Sequence, residues 1–66
     1  MKLSTKEHDV LTLIAKGFSD KEVGVLLKIS NRTVQTHIAA ILIKLNARNR
    51  VDAAIKYIRI HPTWEV

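Results

Sequence analysis

The tetrapeptide Ser4-Thr5-Lys6-Glu7 recurs as Ser19-Asp20-Lys21-Glu22, and this repeat constrains the chain more than any other feature. In each copy a serine hydroxyl can accept from the third helical amide while the glutamate reaches back to the serine amide, closing a reciprocal cap at a helix start. Two starts so near each other in sequence leave room for only one short helix between them. Val10, Leu11 and Ile14 give that helix an apolar stripe at helical spacing, and Gly17 ends it as a left-handed residue. Val23, Leu26 and Leu27 give the second helix its stripe, and Ser30 is a third cap candidate. From Asn31 the apolar residues Val34, Ile38, Ile41, Leu42 and Leu45 fall at i, i+4, i+7, i+8 and i+11, the pattern of a core-facing helix. Asn46-Ala47-Arg48-Asn49 is a break, with Asn49 placed to cap a fourth helix. Val51, Ile55 and Ile58 form the expected core stripe of that helix, with Ala54 at its margin. Pro62 disfavours helix at His61. The expected elements are helices over about 5–16, 20–27, 31–45 and 50–60, and a tail 61–66 in which Trp64 could act as an anchor. The fold class is all-α, a four-helix, bundle-like single domain over 1–66.

Size restricts what can hold such a fold together. A chain of 66 residues buries only about 60% of its unfolded surface. It contains no cysteine, so neither disulfides nor Cys-based zinc sites are open to it. A 47% hydrophobic content is enough to build a core by packing alone. No apolar run approaches the ~18 residues of a membrane span, and Met1 leads straight into a polar helix start rather than a signal peptide; a cytoplasmic location is the default. His8, His37 and His61 are too dispersed for a metal site, and His37, at the margin of the third stripe, reads as a packed, hydrogen-bonded structural residue. Ser4, Ser19 and Ser30 are caps rather than nucleophiles, and no carboxylate pair shares a face with a catalytic partner. The expectation is a non-enzyme with no metal and no cofactor.

Charge is distributed more informatively than its total. Of the net charge of +5, all arises between residues 23 and 51, where Lys28, Arg32, Lys44, Arg48 and Arg50 stand with no acid. A block of one sign between neutral flanks fits a polyanionic partner as well as a solvated basic face. Within it, a short helix, a three-residue turn and a longer helix make a helix-turn-helix candidate over about 20–45. Gly24 sits inside the short helix, where it costs about 1 kcal/mol relative to alanine; a second helix crossing at close range would account for it. Opposite the apolar stripe of the third helix lie Arg32, Thr36, Ala39, Ala40 and Ile43, with Gln35 on the flank. This face has no acid and short side chains near its middle, as entry into a major groove requires. Gln35 can pair with an adenine edge, and Thr36 and Ala39 can meet a thymine methyl. Lys21 and Arg32 lie in first helical turns, which the helix dipole disfavours unless a phosphate binds there.

The residues Leu3-Ser4-Thr5-Lys6-Glu7, Val10-Leu11, Gly17, Ser19-Asp20-Lys21-Glu22-Val23, Ile29-Ser30, Arg32-Thr33-Val34, His37, Lys44-Leu45 and Arg50 together resemble the DNA-binding domain of the LuxR/FixJ/NarL-type transcription regulators, over Leu3 to about Ile58. The resemblance implies four helices, with Lys21, Thr33 and Lys44 on the DNA backbone and Gln35, Thr36 and Ala39 facing bases. Arg32 joins the base-facing set, and Ser30 and Arg48 the backbone set. It also implies pairing through the fourth helix; on that helix Ala53, Ala54 and Tyr57 lie beside the expected core stripe and form the expected dimer contact. An N-terminal receiver or ligand-sensing domain commonly accompanies such domains, and RNA polymerase is a possible partner. Two departures stand out. Lys28 occupies a position where the family often has glycine, so either a left-handed turn there is strained or the turn differs. Val25 and Leu26 replace a commonly polar or basic pair, which fits either packing or a docking patch for an accompanying domain.

The function expected is sequence-specific binding of double-stranded DNA in transcription regulation, with helix 31–45 in the major groove and a weak homodimer formed on DNA. The alternative is a helical protein-interaction or dimerisation module that does not bind DNA.

Overall fold

A computed structural model describes residues 3–60 of the chain. It contains four helices and, among the described residues, no strand: α1 (Thr5–Ala15), α2 (Asp20–Leu27), α3 (Asn31–Lys44) and α4 (Arg50–Ile60). The expected anchor Trp64, along with His61, lies outside the described residues.

Both capping boxes are formed. Ser4 Oγ accepts from the Glu7 amide at 3.2 Å and Glu7 Oε1 from the Ser4 amide at 2.9 Å. Ser19 and Glu22 repeat this at 3.2 and 2.8 Å. Ser30 Oγ accepts from the Thr33 amide at 3.0 Å, and Asn49 Oδ1 from the Asp52 amide at 2.8 Å. Each helix therefore starts at a residue that satisfies an amide the helix itself cannot.

The first three helices also end alike. Phe18 N–H returns to Leu13 O and Gly17 N–H to Ile14 O; Ile29 returns to Gly24 and Lys28 to Val25; Ala47 returns to Leu42 and Asn46 to Ile43. This paired pattern needs a left-handed residue just past the helix, and Gly17, Lys28 and Asn46 have φ of 101°, 59° and 53°. Lys28 thus adopts the left-handed conformation that its side chain disfavours, and the turn keeps its shape at the cost of strain.

Val10 and Leu11 of α1, Val23 of α2, Val34, Ile38 and Ile41 of α3, and Ala53 and Tyr57 of α4 form the buried core. Leu13, Ile14, Leu27, Ile29, Leu42 and Leu45 pack against it. The stripes read for α1 and α3 face inward; two other expectations do not hold. Leu26 is exposed rather than part of the α2 stripe. On α4 the orientation is reversed. Ala53 and Tyr57 are 1% and 3% exposed, whereas Val51 is 64% exposed and Ile55 and Ile58 also face outward. Residues 53 and 57 lie about 200° around the helix from 55 at ~100° per residue, so α4 carries two apolar faces and only one can be core. Tyr57 decides between them: its ring packs in a T-shaped arrangement with that of His8 on α1, with centroids 5.3 Å apart and planes at 72°. Ala53, one turn earlier, allows the close approach that this needs. Ala53 and Tyr57 are therefore core residues and cannot be the dimer contact expected of them.

Candidate nucleic-acid interface

Gly24 fixes how α2 and α3 meet. A Cβ at this position would sit 2.8 Å from Ile29 O, 3.6 Å from Val34 Cγ2 and 3.7 Å from the Asn31 amide. The nearest neighbour is the backbone of the turn, not a crossing helix, so the close approach expected at Gly24 is made by the turn and the start of α3. A second link anchors the other end of α2: the Arg50 guanidinium forms a two-pronged ion pair with the Asp20 carboxylate, one contact of which is Nη2 to Oδ2 at 3.2 Å. Thirty residues separate the two in sequence, and no local pattern announced the pair.

Between these constraints α3 presents one open face. Arg32, Gln35, Thr36, Ala39 and Ile43 are exposed, and Ala40 is half-buried. Gln35, read on the flank of the face, is exposed as well. Thr36 Oγ1 donates to Arg32 O at 3.1 Å, which spends its proton on the helix and leaves a methyl and oxygen lone pairs. The side chains on this face offer an amide, a guanidinium, small apolar groups and no acid. His37 is half-buried, but the hydrogen bond expected of it is not formed among the described residues.

The residues expected on a nucleic-acid backbone fall into three groups. Ser30 and Thr33 stand at the start of α3, their hydroxyls 2.8 Å apart, and no acidic residue occupies that first turn. Ser30 satisfies the Thr33 amide, while the first amides of any helix lack partners within it. Lys21, exposed in the first turn of α2, has no ion pair among the described residues. At the far end of α3, Lys44 Nζ is 2.7 Å from Glu7 Oε1, so this cation is tethered to α1. Glu7 is nearly fully buried, and the Lys44 hydrogen bond, followed by the Ser4 amide, holds its carboxyl below the ordinary glutamate range. The capping box was legible in sequence; its partner 37 residues away was not. Arg48 is freely exposed, with Nε 3.7 Å from Asp52. The Arg48 amide donates to Asp52 Oδ2 at 2.9 Å, and this bond is the chief reason the Asp52 carboxyl is also lowered.

On α4, Val51, Ala54, Ile55 and Ile58 line an apolar groove of about 320 Å³ with Ile14, Ala15 and Arg50. Of the three residues expected at a dimer contact, only Ala54 borders it.

Residues 1–57 match the family model described as bacterial regulatory proteins, luxR family. The chain is 41% identical over 64 residues to the uncharacterized transcriptional regulatory protein YhcZ of Bacillus subtilis, covering 97% of this chain and 30% of that protein. It is 44% identical over 57 residues to the nitrate/nitrite response regulator protein NarP of Escherichia coli, covering 86% of this chain and 26% of that one. The chain thus spans less than a third of these relatives' lengths. Among solved structures it superposes on the transcription factor GerE with a TM-score of 0.85 and 30% identity, over 89% of this chain and 88% of that one.

Proposed function

Since the chain belongs to the luxR family of bacterial regulatory proteins, a family of DNA-binding transcription-regulator domains and not an enzyme class, we propose that it places a regulator on a specific duplex site by seating α3 in the major groove. One observation carries this docking: the exposed, acid-free face of Arg32, Gln35, Thr36, Ala39 and Ile43. Gln35 has the amide geometry that pairs with adenine, and Thr36 and Ala39 supply methyls for thymine. Arg32 serves a base edge or a flanking phosphate. Lys21, Ser30 and Thr33 meet one phosphate strand near the start of α3. Lys44 lies at its other end, roughly 17 Å along the axis from Thr33 at ~1.5 Å per residue, with Arg48 beyond the end of the helix. That span is of the order of the ~12 Å groove plus its phosphate walls.

Two copies pair on DNA through the outward apolar face of α4, built from Val51, Ala54, Ile55 and Ile58. The half-sites are then about one helical turn, ~10 base pairs, apart. The patch is small, so the pairing is weak away from DNA. A cytoplasmic location follows from a bacterial DNA partner; no helix among the described residues is long and apolar enough to cross a membrane. Contact with RNA polymerase and control by an attached receiver or sensor domain belong to the same proposal and rest on family resemblance alone.

The test is duplex binding across a salt series with a site selected from random sequence. The affinity falls on a log–log plot with a slope of about −0.9 per phosphate contact. Lys21→Ala makes that slope shallower by about one and weakens all duplexes alike. Gln35→Ala weakens the selected site by about 1–3 kcal/mol and random duplexes much less. A slope near zero for the intact chain overturns the reading.

A further inference from the structure

Among the described residues, α2 and α4 each pack against α1 and α3, but their backbones do not come together. A side-chain bridge spans them instead. Asp20, the first residue of α2, and Arg50, the first residue of α4, form a two-pronged ion pair in which Nη1 donates to Oδ1 and Nη2 to Oδ2, the second at 3.2 Å. A cation in the first turn of a helix faces the positive end of its dipole, so Arg50 is poorly placed for α4 alone, and Asp20 answers it. The stability the pair supplies is modest, because the Asp20 and Arg50 side chains are 18% and 44% exposed and surface pairs contribute little. A forked guanidinium–carboxylate contact supplies geometry: two parallel bonds fix the relative orientation of the groups they join.

The two ends of the bridge stand at the two working parts of the domain. Asp20 precedes Lys21, the phosphate contact proposed above. Arg50 precedes Val51 and itself lines the apolar groove of α4. On B-DNA, one added base pair carries a half-site about 3.4 Å along the axis and turns it by about 35°. Two paired copies therefore distinguish spacings only as far as their reading helices are held at a fixed angle to the pairing face.

We infer that Asp20 and Arg50 are positioning residues that hold the helix-turn-helix at a fixed angle to α4 and so set which half-site spacing a pair of copies accepts. The inference rests on the docking and pairing proposed above, and it assigns neither residue a contact with a base or a phosphate.

Electrophoretic shifts on duplexes that carry two selected half-sites, with centres from about 8 to about 13 base pairs apart, test this beside a single half-site duplex and thermal melts. The readout is the ratio of cooperative filling at the best spacing to that one base pair away, from which any uniform change in affinity or stability cancels. Asp20→Asn keeps the size of the side chain and one acceptor but not the charge; Arg50→Lys keeps the charge but not the fork. Each variant is expected to melt as a folded chain and to bind the single half-site, with the ratio at least about threefold below that of the parent, since both copies of a pair lose their bridge. The double variant loses no more than either alone, the non-additivity of residues that act as one unit. A ratio that falls by less than about threefold in either variant overturns the inference, and so do additive losses in the double variant. A parent that binds the single half-site but fills two cooperatively at no spacing removes the α4 pairing, and this inference with it. A parent that does not bind the single half-site overturns the docking of α3 itself.

Discussion

Lys44 Nζ lies 2.7 Å from Glu7 Oε1, and the same oxygen accepts the Ser4 amide that closes the cap of α1. One buried carboxylate thus starts the first helix and holds the last turn of α3 against it, which couples the end of the DNA-facing helix to the stability of the domain.

This pair makes stability depend on acid. Glu7 titrates below its ordinary value in the folded chain, so its contribution is fully present above the ordinary glutamate range and is lost as pH falls through the lowered value. Asp52, lowered mainly by the Arg48 amide, acts in the same direction. Denaturation midpoints measured from neutral pH into the acid range should fall in that window. Glu7→Gln, which keeps a capping side chain, should start lower and fall less steeply. A variant that parallels the parent throughout would mean that Glu7 carries no pH-dependent stability.

Lys28 occupies a left-handed conformation, φ 59° and ψ 44°, that costs a residue with a Cβ roughly 1–2 kcal/mol. Glycine adopts it without that cost. Lys28→Gly should raise stability by about 1 kcal/mol, after allowing for the greater freedom of glycine in the unfolded chain, with the denaturant m-value unchanged. An unchanged or lower midpoint would show that the Lys28 side chain contributes something that the backbone geometry does not reveal.

Gly24→Ala should act in the opposite direction. A methyl 2.8 Å from Ile29 O meets backbone that cannot rotate away, so the turn must move. The overpacking cost of about 1–3 kcal/mol exceeds the ~1 kcal/mol that alanine gains in helix propensity. A net loss of up to about 2 kcal/mol is expected from those two magnitudes, with weaker binding to the selected duplex because the turn sets α3 relative to α2. Stabilisation by the alanine would rule out the close approach.

The two faces of α4 can be separated by substitution. Ile55→Asp places a charge on the open face and should leave the fold intact, while two adjacent half-sites no longer fill cooperatively and a single half-site still binds. Tyr57→Ala removes a core ring and should cost about 3 kcal/mol or more, the range of large aromatic truncations. Electrophoretic shift on one- and two-half-site duplexes, beside thermal melts, gives both readouts. Cooperative filling by a folded Ile55→Asp variant would place the dimer contact elsewhere.

Where helices begin and end is a local matter, and there the amino-acid sequence was sufficient. A cap joins residues three apart, as Ser4 and Glu7 or Ser19 and Glu22 do, and the closing bonds at Gly17, Lys28 and Asn46 reach back only three to five residues. The open face of α3 was also legible, because Val34, Ile38 and Ile41 make a single stripe and leave one opposite side. On α4 two faces compete, and the core face is the one opposite to that expected: Val51-Ile55-Ile58 and Ala53-Tyr57 are both apolar at helical spacing, and periodicity is blind to which one meets α1. Tertiary packing made that choice through the fit of Tyr57 against His8. It likewise left Val25 and Leu26 in water and joined Glu7 to Lys44 and Asp20 to Arg50. Each of these outcomes depends on which surfaces the assembled helices bring together, and that is a property of the assembled fold rather than of spacing along the chain.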